Sequence, residues 1–392
     1  MRLRFLVLTA AYPSPREPGR GIFIENLNRA LIEEAGGELS LTVVAPRVHP
    51  LDPASELRSG IEVRRFPYPS GGKRLKELGS PGPLTLGGYL LSGLARVLWE
   101  ARRGDYDALL CHWTLPTGPI AWLSSFFLES PFFLFAHGSD LNRYAARSSC
   151  LRLASRLALG KASGVFAVSE DLRELIETGY CPPARHLEVI EMGVGDEFLP
   201  ADRAEARLEL SLSAGLDVLF VGDLIEDKGV GDLLAARRLL ADRGVDFRLH
   251  FAGDGPLEKE ISAVDGCELL GTLSPQELAR WYRAADLLVL PSHSEGSPLV
   301  VMEALSCGTP VLATRVGGVP ELVEPGRSGE LVHPMQPERL AEKLGELLES
   351  PDALENMREA ILIDSRDFSA RRCARRVCES LRRTLGVGGE TA

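Results

Sequence analysis

Two glutamates, Glu295 and Glu303, sit eight residues apart in the stretch HSEGSPLVVMEALSCGTPVLAT. A carboxylate is costly to bury without a partner, and the residues around this pair are largely apolar. The preceding run DLLVLPS reads as a buried strand, HSEGSP as its loop, and LVVMEALSCG as a helix ending at Gly308. Glu295 is then expected in the loop and Glu303 about two turns further along. The backbone from Gly296 through Ser297, Pro298, Leu299 and Val300 to Val301 would expose amides at a helix start, a good seat for a diphosphate. Carboxylates accept well from vicinal hydroxyls, so two acids on either side of such a seat suit a sugar and a ribose.

Other loops offer related chemistry. In DLIEDKGVGDLL, Lys228 and Gly229 stand just before a helix, where an ammonium and backbone amides could hold phosphate. DGPLEKEI is another glycine-rich helix entry, but the glycines do not follow G-x-G-x-x-G, so nicotinamide binding gains no support. In YPSPREPGRGIFIENLNRAL, Gly21 lies at the mouth of a helix and marks a further anion site. HGSDLN places His137 and Asp140 at a strand end, where a histidine can donate a hydrogen bond or relay a proton near neutral pH. The D-x-D formed by Asp105 and Asp107 precedes its strand, the wrong end for this chemistry, and no metal-ligand cluster is expected. Anion-favouring loops beside two placed carboxylates point to a nucleotide sugar.

Those loops need a scaffold. Short apolar runs alternate with helical segments throughout, the pattern of parallel sheets covered by helices. The strand candidates are RFLVLTA, LTVVAP, IEVRRF, ALLCHW, FFLFAHG, GVFAVS and LEVIEMG, then LDVLFVG, FRLHFAG, CELLG, DLLVLPS, PVLAT and GELV. Helices are predicted at Ile24–Ala35, Leu172–Thr178, Val230–Arg243, Pro256–Ala263, Pro275–Ala285 and Pro337–Glu349. At 392 residues the chain is too long for one compact core. The polar stretch DEFLPADRAEARLELSLSAG sets the expected boundary: one Rossmann-like domain over 1–200, a second over 201–365, and a cleft between them. The basic amphipathic segment within 366–392 is expected to be a helix that packs back on the first domain, with the tail GVGGETA frayed.

Composition agrees with an ordinary globular protein, 45% hydrophobic and 25% charged. Seven cysteines without a C-x-x-C pair argue against a zinc site or disulfide framework and for a reducing, cytoplasmic setting. The apolar part of MRLRFLVLTAAYPSP spans about eight residues and fits a first buried strand better than a signal peptide. PIAWLSSFFLESPFFLFAHG is too broken for a membrane span and reads as a helix followed by a core strand. The net charge of −11 is shared unevenly, close to +3 over residues 1–190 and −14 over the rest. The mildly basic half suits an anionic partner, although nucleic acid is not expected. PLTLGGYLLSGLARVLWEARR is amphipathic with basic residues at its end, open to peripheral membrane contact or to packing as a core helix.

The segment SEGSPLVVMEALSCGTPVLATRVGGVPELV resembles the E-x7-E signature of glycosyltransferase family 4, retaining enzymes of the GT-B fold. DLIEDKGVGDLLAA, FAGDGPLEKEI, GTLSPQELARWYRAADLLVLPS, VSEDLRELI, GRGIFIENLNRAL and HGSDLN are similar to the family's other blocks, in the same order. The resemblance implies an α/β GT-B architecture, an acceptor-binding first domain facing a nucleotide-sugar-binding second domain, and hexosyl transfer. It implies that Glu295 contacts the donor sugar, Glu303 the ribose, Gly296 to Val300 the sugar and diphosphate, and Lys228 the diphosphate. Gly21 would bring its loop onto the phosphates and His137 would sit beside the transferred sugar. The implied reaction is front-face transfer from a nucleotide-diphosphate sugar to a glycan or lipid-linked acceptor of the cell envelope, with no metal or other cofactor. Two positions depart from the pattern: Asp223 stands where the family often has a phosphate-binding arginine, a load Lys228 or Arg20 could take, and EMGV replaces P-N-G-V. Asp223 keeps open a catalytically impaired relative that binds nucleotide sugar or a partner without turnover. A GT-B sugar-nucleotide epimerase is the third reading.

Overall fold

A computed structural model describes residues 3–78, 82–145, 148–180, 186–364 and 366–386. The chain forms two compact units: residues Met1–Met192 with Ala370–Ala392, and Gly193–Ser369.

The first unit is built on β1 (Leu3–Leu8), β2 (Leu39–Arg47), β3 (Ser55–Arg58), β4 (Ile61–Pro67), β5 (Ala108–His112), β6 (Phe132–Ala136), β7 (Gly164–Ala167) and β8 (Leu187–Val189), in the sheet order β3-β4-β2-β1-β5-β6-β7-β8. The pairing is parallel except for β3, which runs antiparallel to β4. β5 and β6 are fully buried, which is why they read as apolar runs rather than as an alternation, with His112 at the end of β5 the one polar residue in them. β3 was not foreseen: SELR has no apolar face and lies at the sheet edge with alternating exposure. A two-residue turn, Ser59 and Gly60, both at positive φ, folds it onto β4.

The second unit holds β9 (Asp217–Val221), β10 (Arg248–Ala252), β11 (Cys267–Gly271), β12 (Leu287–Leu290), β13 (Val311–Thr314) and β14 (Gly329–Val332), in the order β11-β10-β9-β12-β13-β14, all parallel. Successive side chains of β9 point to opposite faces. Val218 and Phe220 join the core beneath the helices Val230–Asp242 and Pro337–Leu348. Leu219 and Val221 join the other core, beneath Pro275–Ala284 and Leu299–Ser306.

Every apolar run read as a strand is one, and the helices differ mainly at their ends. The first is Ile22–Glu34. Glu170–Leu175 passes into a π-helical turn, Ile176–Tyr180. The segment predicted over Pro256–Ala263 is helical only at Glu258–Ser262. The residues before it lie against the β9 loop: a Cβ on Gly255 would be 2.4 Å from the Leu224 carbonyl oxygen, which accepts from the Leu257 amide at 3.2 Å. The helix Pro275–Ala284 starts with a capping box in which Ser274 and Glu277 satisfy each other's amides.

The helix Ala370–Leu385 belongs to the first unit and packs on Ile22–Glu34. Cys373, Val377 and Leu381 are buried on its inner side. Arg376 donates to the Val189 carbonyl at 2.7 Å, and Arg372 pairs with Glu191 at 3.1 Å. The unusual glutamate of EMGV is thereby tied to this helix. Of the tail GVGGETA, all but Gly386 lies outside the described residues. Among the described residues no helix is long and apolar enough to cross a membrane.

Candidate functional site

Both sheets grow outward from an inner strand, so the strand order reverses beside β1 and beside β9. In open α/β sheets, ligands bind outside the carboxyl ends of the strands at such reversals. The sequence-predicted residues cluster at these two places.

In the second unit the loops after β9 and β12 are forced together. Gly229 is left-handed (φ 70°), and a Cβ on it would lie 2.0 Å from the Pro291 carbonyl oxygen. His293 N–H donates to the Asp227 carbonyl at 2.9 Å, and its Nε2 lies 2.9 Å from Asp232 Oδ2. This contact delivers Lys228 to Glu295: Nζ donates to Oε1 at 2.6 Å, and Ser292 Oγ donates to the same oxygen at 2.6 Å. From the far side Gly317 (φ 49°) packs so closely that a Cβ would be 2.1 Å from the Glu295 carbonyl oxygen, while Gly318 N–H donates to the Gly296 carbonyl at 2.7 Å. The loop of Glu295, Gly296 and Ser297 is therefore braced on both sides. Pro298 is the N-cap, and the amides of Leu299 and Val300 have no intrahelical acceptor, as at any helix start.

Glu303 lies about one turn into the helix Leu299–Ser306 and not two, since the helix starts at Leu299 as expected and the residues between Glu295 and Leu299 are loop rather than helix. Its carboxylate does not meet Glu295. Oε2 accepts from the Tyr282 hydroxyl at 2.8 Å, and Tyr282 is fully buried. Burial pushes the Glu303 carboxyl up to about 7, with the tyrosine bond acting against that rise. Asp223 is exposed in the β9 loop, where its carbonyl accepts from the Ile225 amide at 2.9 Å.

In the first unit, Gly21 is the N-cap of Ile22–Glu34, left-handed at φ 68°, where a Cβ would meet the Ala11 carbonyl oxygen at 2.6 Å. The second helical residue, Phe23, makes an edge contact with the His137 ring, 5.5 Å between centroids, so the Gly21 loop and His137 are neighbours. Trp113 packs on His137 at 4.7 Å and holds a positive φ of 71°, rare for a bulky residue. His137 Nε2 lies 3.1 Å from His112 Nδ1. Burial drives the His137 pKa down to about 3, so the ring is neutral at pH 7 and acts through hydrogen bonds rather than as a neutral-pH proton relay. Asp140 is bonded to Thr114 instead of His137, with Oδ2 accepting from the Thr114 amide at 2.5 Å and hydroxyl at 2.9 Å. Arg20 is held by Glu17 at 3.0 Å and the Ala10 carbonyl at 3.1 Å.

Asp107 caps the start of β1, accepting from the Arg4 amide at 2.8 Å, and so lies at the opposite end of the sheet from Gly21. Tyr282, Ser292, Gly317 and His112 were not singled out from sequence. Their parts depend on pairings across 21, 3, 22 and 25 residues. Tyr282 and Ser292 stood within GTLSPQELARWYRAADLLVLPS, Gly317 within RVGGVPELV and His112 within the strand run ALLCHW, but no role was read for any of them.

Residues 19–193 match the family described as "Glycosyl transferase 4-like domain", and residues 215–350 match "Glycosyl transferases group 1". The putative teichuronic acid biosynthesis glycosyltransferase TuaC of Bacillus subtilis is 30% identical over 364 residues, covering 87% of this chain and 88% of that one. A D-inositol 3-phosphate glycosyltransferase of Thermobispora bispora is 32% identical over 383 residues, covering 87% and 86%. Among solved structures, sucrose-phosphate synthase from Thermosynechococcus elongatus superposes with a TM-score of 0.82 at 22% identity, covering 99% of this chain and 100% of that one. Anabaena HepE in complex with UDP-glucose gives 0.74 at 21% identity, covering 97% and 99%. Two doubly wound units, matched family segments in both, and relatives aligned along most of their length place the chain in glycosyltransferase family 4, as an enzyme of the GT-B fold.

Proposed function

We propose that the protein moves a sugar from a nucleotide-diphosphate donor to a glycan or lipid-linked acceptor, with retention at the anomeric carbon and without a metal. The observation that carries this reading is the Lys228–Glu295 pair, 2.6 Å apart, on the two loops that flank the strand reversal of the second unit. An ammonium beside the free amides of Leu299 and Val300 provides fixed positive charge for a diphosphate, the part a metal plays elsewhere. Lys228 neutralises charge as the leaving group departs. Glu295 holds hydroxyls of the donor sugar, and Glu303 accepts from the ribose. The support from similar proteins is that HepE was solved with UDP and UDP-glucose and that TuaC is named for teichuronic acid biosynthesis.

In this scheme the bond between the anomeric carbon and the diphosphate oxygen breaks. The acceptor hydroxyl bonds to that carbon on the same face, and its proton passes to the departing phosphate. The second unit thus serves the donor and the first the acceptor, with Gly21 and His137 in the parts that the resemblance implies for them. Catalysis rests on positioning and electrostatics. The helix Pro83–Arg103 suggests peripheral contact with the cytoplasmic side of a membrane, since Leu84, Leu91 and Trp99 are exposed and Arg103 lies over Trp99 at 5.5 Å.

The test is donor hydrolysis and transfer by the purified chain over a panel of nucleotide sugars, with metal and with chelator. Turnover of at least one donor, unaffected by chelator and lost in Glu295→Ala, is expected. No turnover of any donor, together with nucleotide diphosphates that bind the wild type and Lys228→Ala equally, would overturn the proposal in favour of a non-catalytic relative.

A further inference from the structure

His112 is the last residue of β5 and fully buried. Its ring stacks on Phe135 at 4.4 Å and on His137 at 5.3 Å. Its Nδ1 faces His137 Nε2 across 3.1 Å, while its Nε2 is buried with no hydrogen-bond partner. Among the described residues, His137 Nδ1 has no protein partner either.

A bond between two imidazole nitrogens contains one proton. Burial lowers the pKa of both rings, with His137 lowering that of His112 further, so each ring is neutral and carries a single N–H. Two arrangements satisfy this. In the first, His112 Nδ1–H donates to His137 Nε2, which leaves a lone pair on buried His112 Nε2 and puts the proton of His137 on Nδ1. In the second, His137 Nε2–H donates to His112 Nδ1, which strands an N–H on His112 Nε2 and leaves His137 Nδ1 as an acceptor. Stranded buried N–H groups are rarer than under-satisfied acceptors, and the first arrangement avoids one.

We infer that His112 is a positioning residue that locks His137 as its Nδ1–H tautomer, so that His137 presents a hydrogen-bond donor to an oxygen of the sugar nucleotide. This rests on the reading that places His137 beside the transferred sugar. The strained backbone of Trp113, between the strand and the loop, holds the indole against the same ring and leaves it little freedom to turn.

The test is nitrogen-15 NMR of histidine-labelled full-length protein at pH 7, with His137 assigned by its loss in His137→Asn, alongside steady-state kinetics. The wild type is expected to show His137 as Nδ1–H. His112→Leu is expected to shift it toward Nε2–H and to lower kcat by about tenfold to a hundredfold, with donor KM changed by less than about twofold. His112→Asn, whose amide N–H can stand in for Nδ1–H, is expected to keep the tautomer and recover most of the rate. An Nε2–H tautomer in the wild type overturns the inference. So does a tautomer that His112→Leu leaves unchanged, or one that changes with kcat intact. The spectrum needs no substrate, so an absence of turnover on every donor would defeat the glycosyl-transfer reading while the tautomer is still decided.

Discussion

Lys228 and Glu295 are 67 residues apart in sequence and 2.6 Å apart in space, each on the first loop beyond a strand flanking the same reversal. Side-chain exposures of 28% and 9% make this a partly covered pair, open enough for a ligand to reach the lysine. Lys228→Ala and Glu295→Gln are each expected to lower kcat/KM by about a hundredfold or more. Because the two act as one unit, the double variant should be little worse than the poorer single one, as a double-mutant cycle would reveal. Fully additive losses would mean that the pair is not a functional unit.

Glu303 carries a pH signature. Its pKa in the folded chain, about 7, lies above the ordinary value of 4.5 because the carboxyl is buried. The folded state therefore favours the protonated form, and the stability it contributes falls as pH rises from about 4.5 to about 7, then levels off. Glu303→Gln should raise Tm more at pH 8 than at pH 5. In the wild type, donor affinity should improve through neutral pH as the carboxylate forms. Tyr282→Phe removes a donor to that carboxylate, so it should move the transition to higher pH and raise donor KM more than it lowers kcat. A pH profile unchanged in Tyr282→Phe would contradict the assignment.

Glycines at close contacts should be intolerant of a single methyl. Gly229→Ala and Gly317→Ala each place a Cβ within about 2 Å of a carbonyl oxygen at positive φ. Each should cost about 1–3 kcal/mol in denaturant unfolding. Each should also reduce turnover by more than the loss of folded protein explains, since both glycines brace the Glu295 loop.

Asp217 provides a structural counterpart far from the site, at the first residue of β9. It is fully buried and accepts from Arg248 at 2.7 and 2.8 Å, Arg207 at 2.9 Å and His250 at 2.8 Å. Burial alone would raise its pKa, but the bonds from Arg248 and His250 outweigh that and hold it well below the carboxylate range. The stability it contributes is present above the unfolded value near 4 and is lost as pH falls below that. Asp217→Ala should cost about 1–3 kcal/mol by leaving the partly exposed Arg207 and Arg248 guanidiniums and the buried His250 ring without their acceptor. It should also flatten the acid limb of the stability curve, with kinetics of the remaining folded enzyme unchanged.

For the helix Pro83–Arg103, co-sedimentation with anionic vesicles at low salt is expected, falling when Arg102 and Arg103 are changed to alanine or when salt is raised. No binding at low salt would remove membrane contact from the account.

The scaffold was largely legible because strands buried on both faces must be apolar along their whole length. FFLFA and the VLFV of β9 announce themselves in that way. SELR does not, since an edge strand can be polar on both faces and is defined by its partner. Lys228, Glu295 and Glu303 were legible because charged groups beside helix starts demand a partner. Tyr282 and His112 were not, since a tyrosine in a helix and a histidine ending a strand are ordinary until folding reveals what their polar atoms touch. The same holds for the pKa of Glu303, which burial sets and no neighbour in sequence announces.

The helix Ala370–Leu385 completes the first unit from beyond the end of the second. During synthesis, the sheet that begins at Leu3 must wait for its last covering helix until all of residues 193–369 have left the ribosome. Through that interval the face of Ile22–Glu34 that Cys373, Val377 and Leu381 later cover is bare. The unit that starts first is thus finished last, and a nascent chain stalled anywhere in the second unit carries an exposed apolar surface that chaperones can bind.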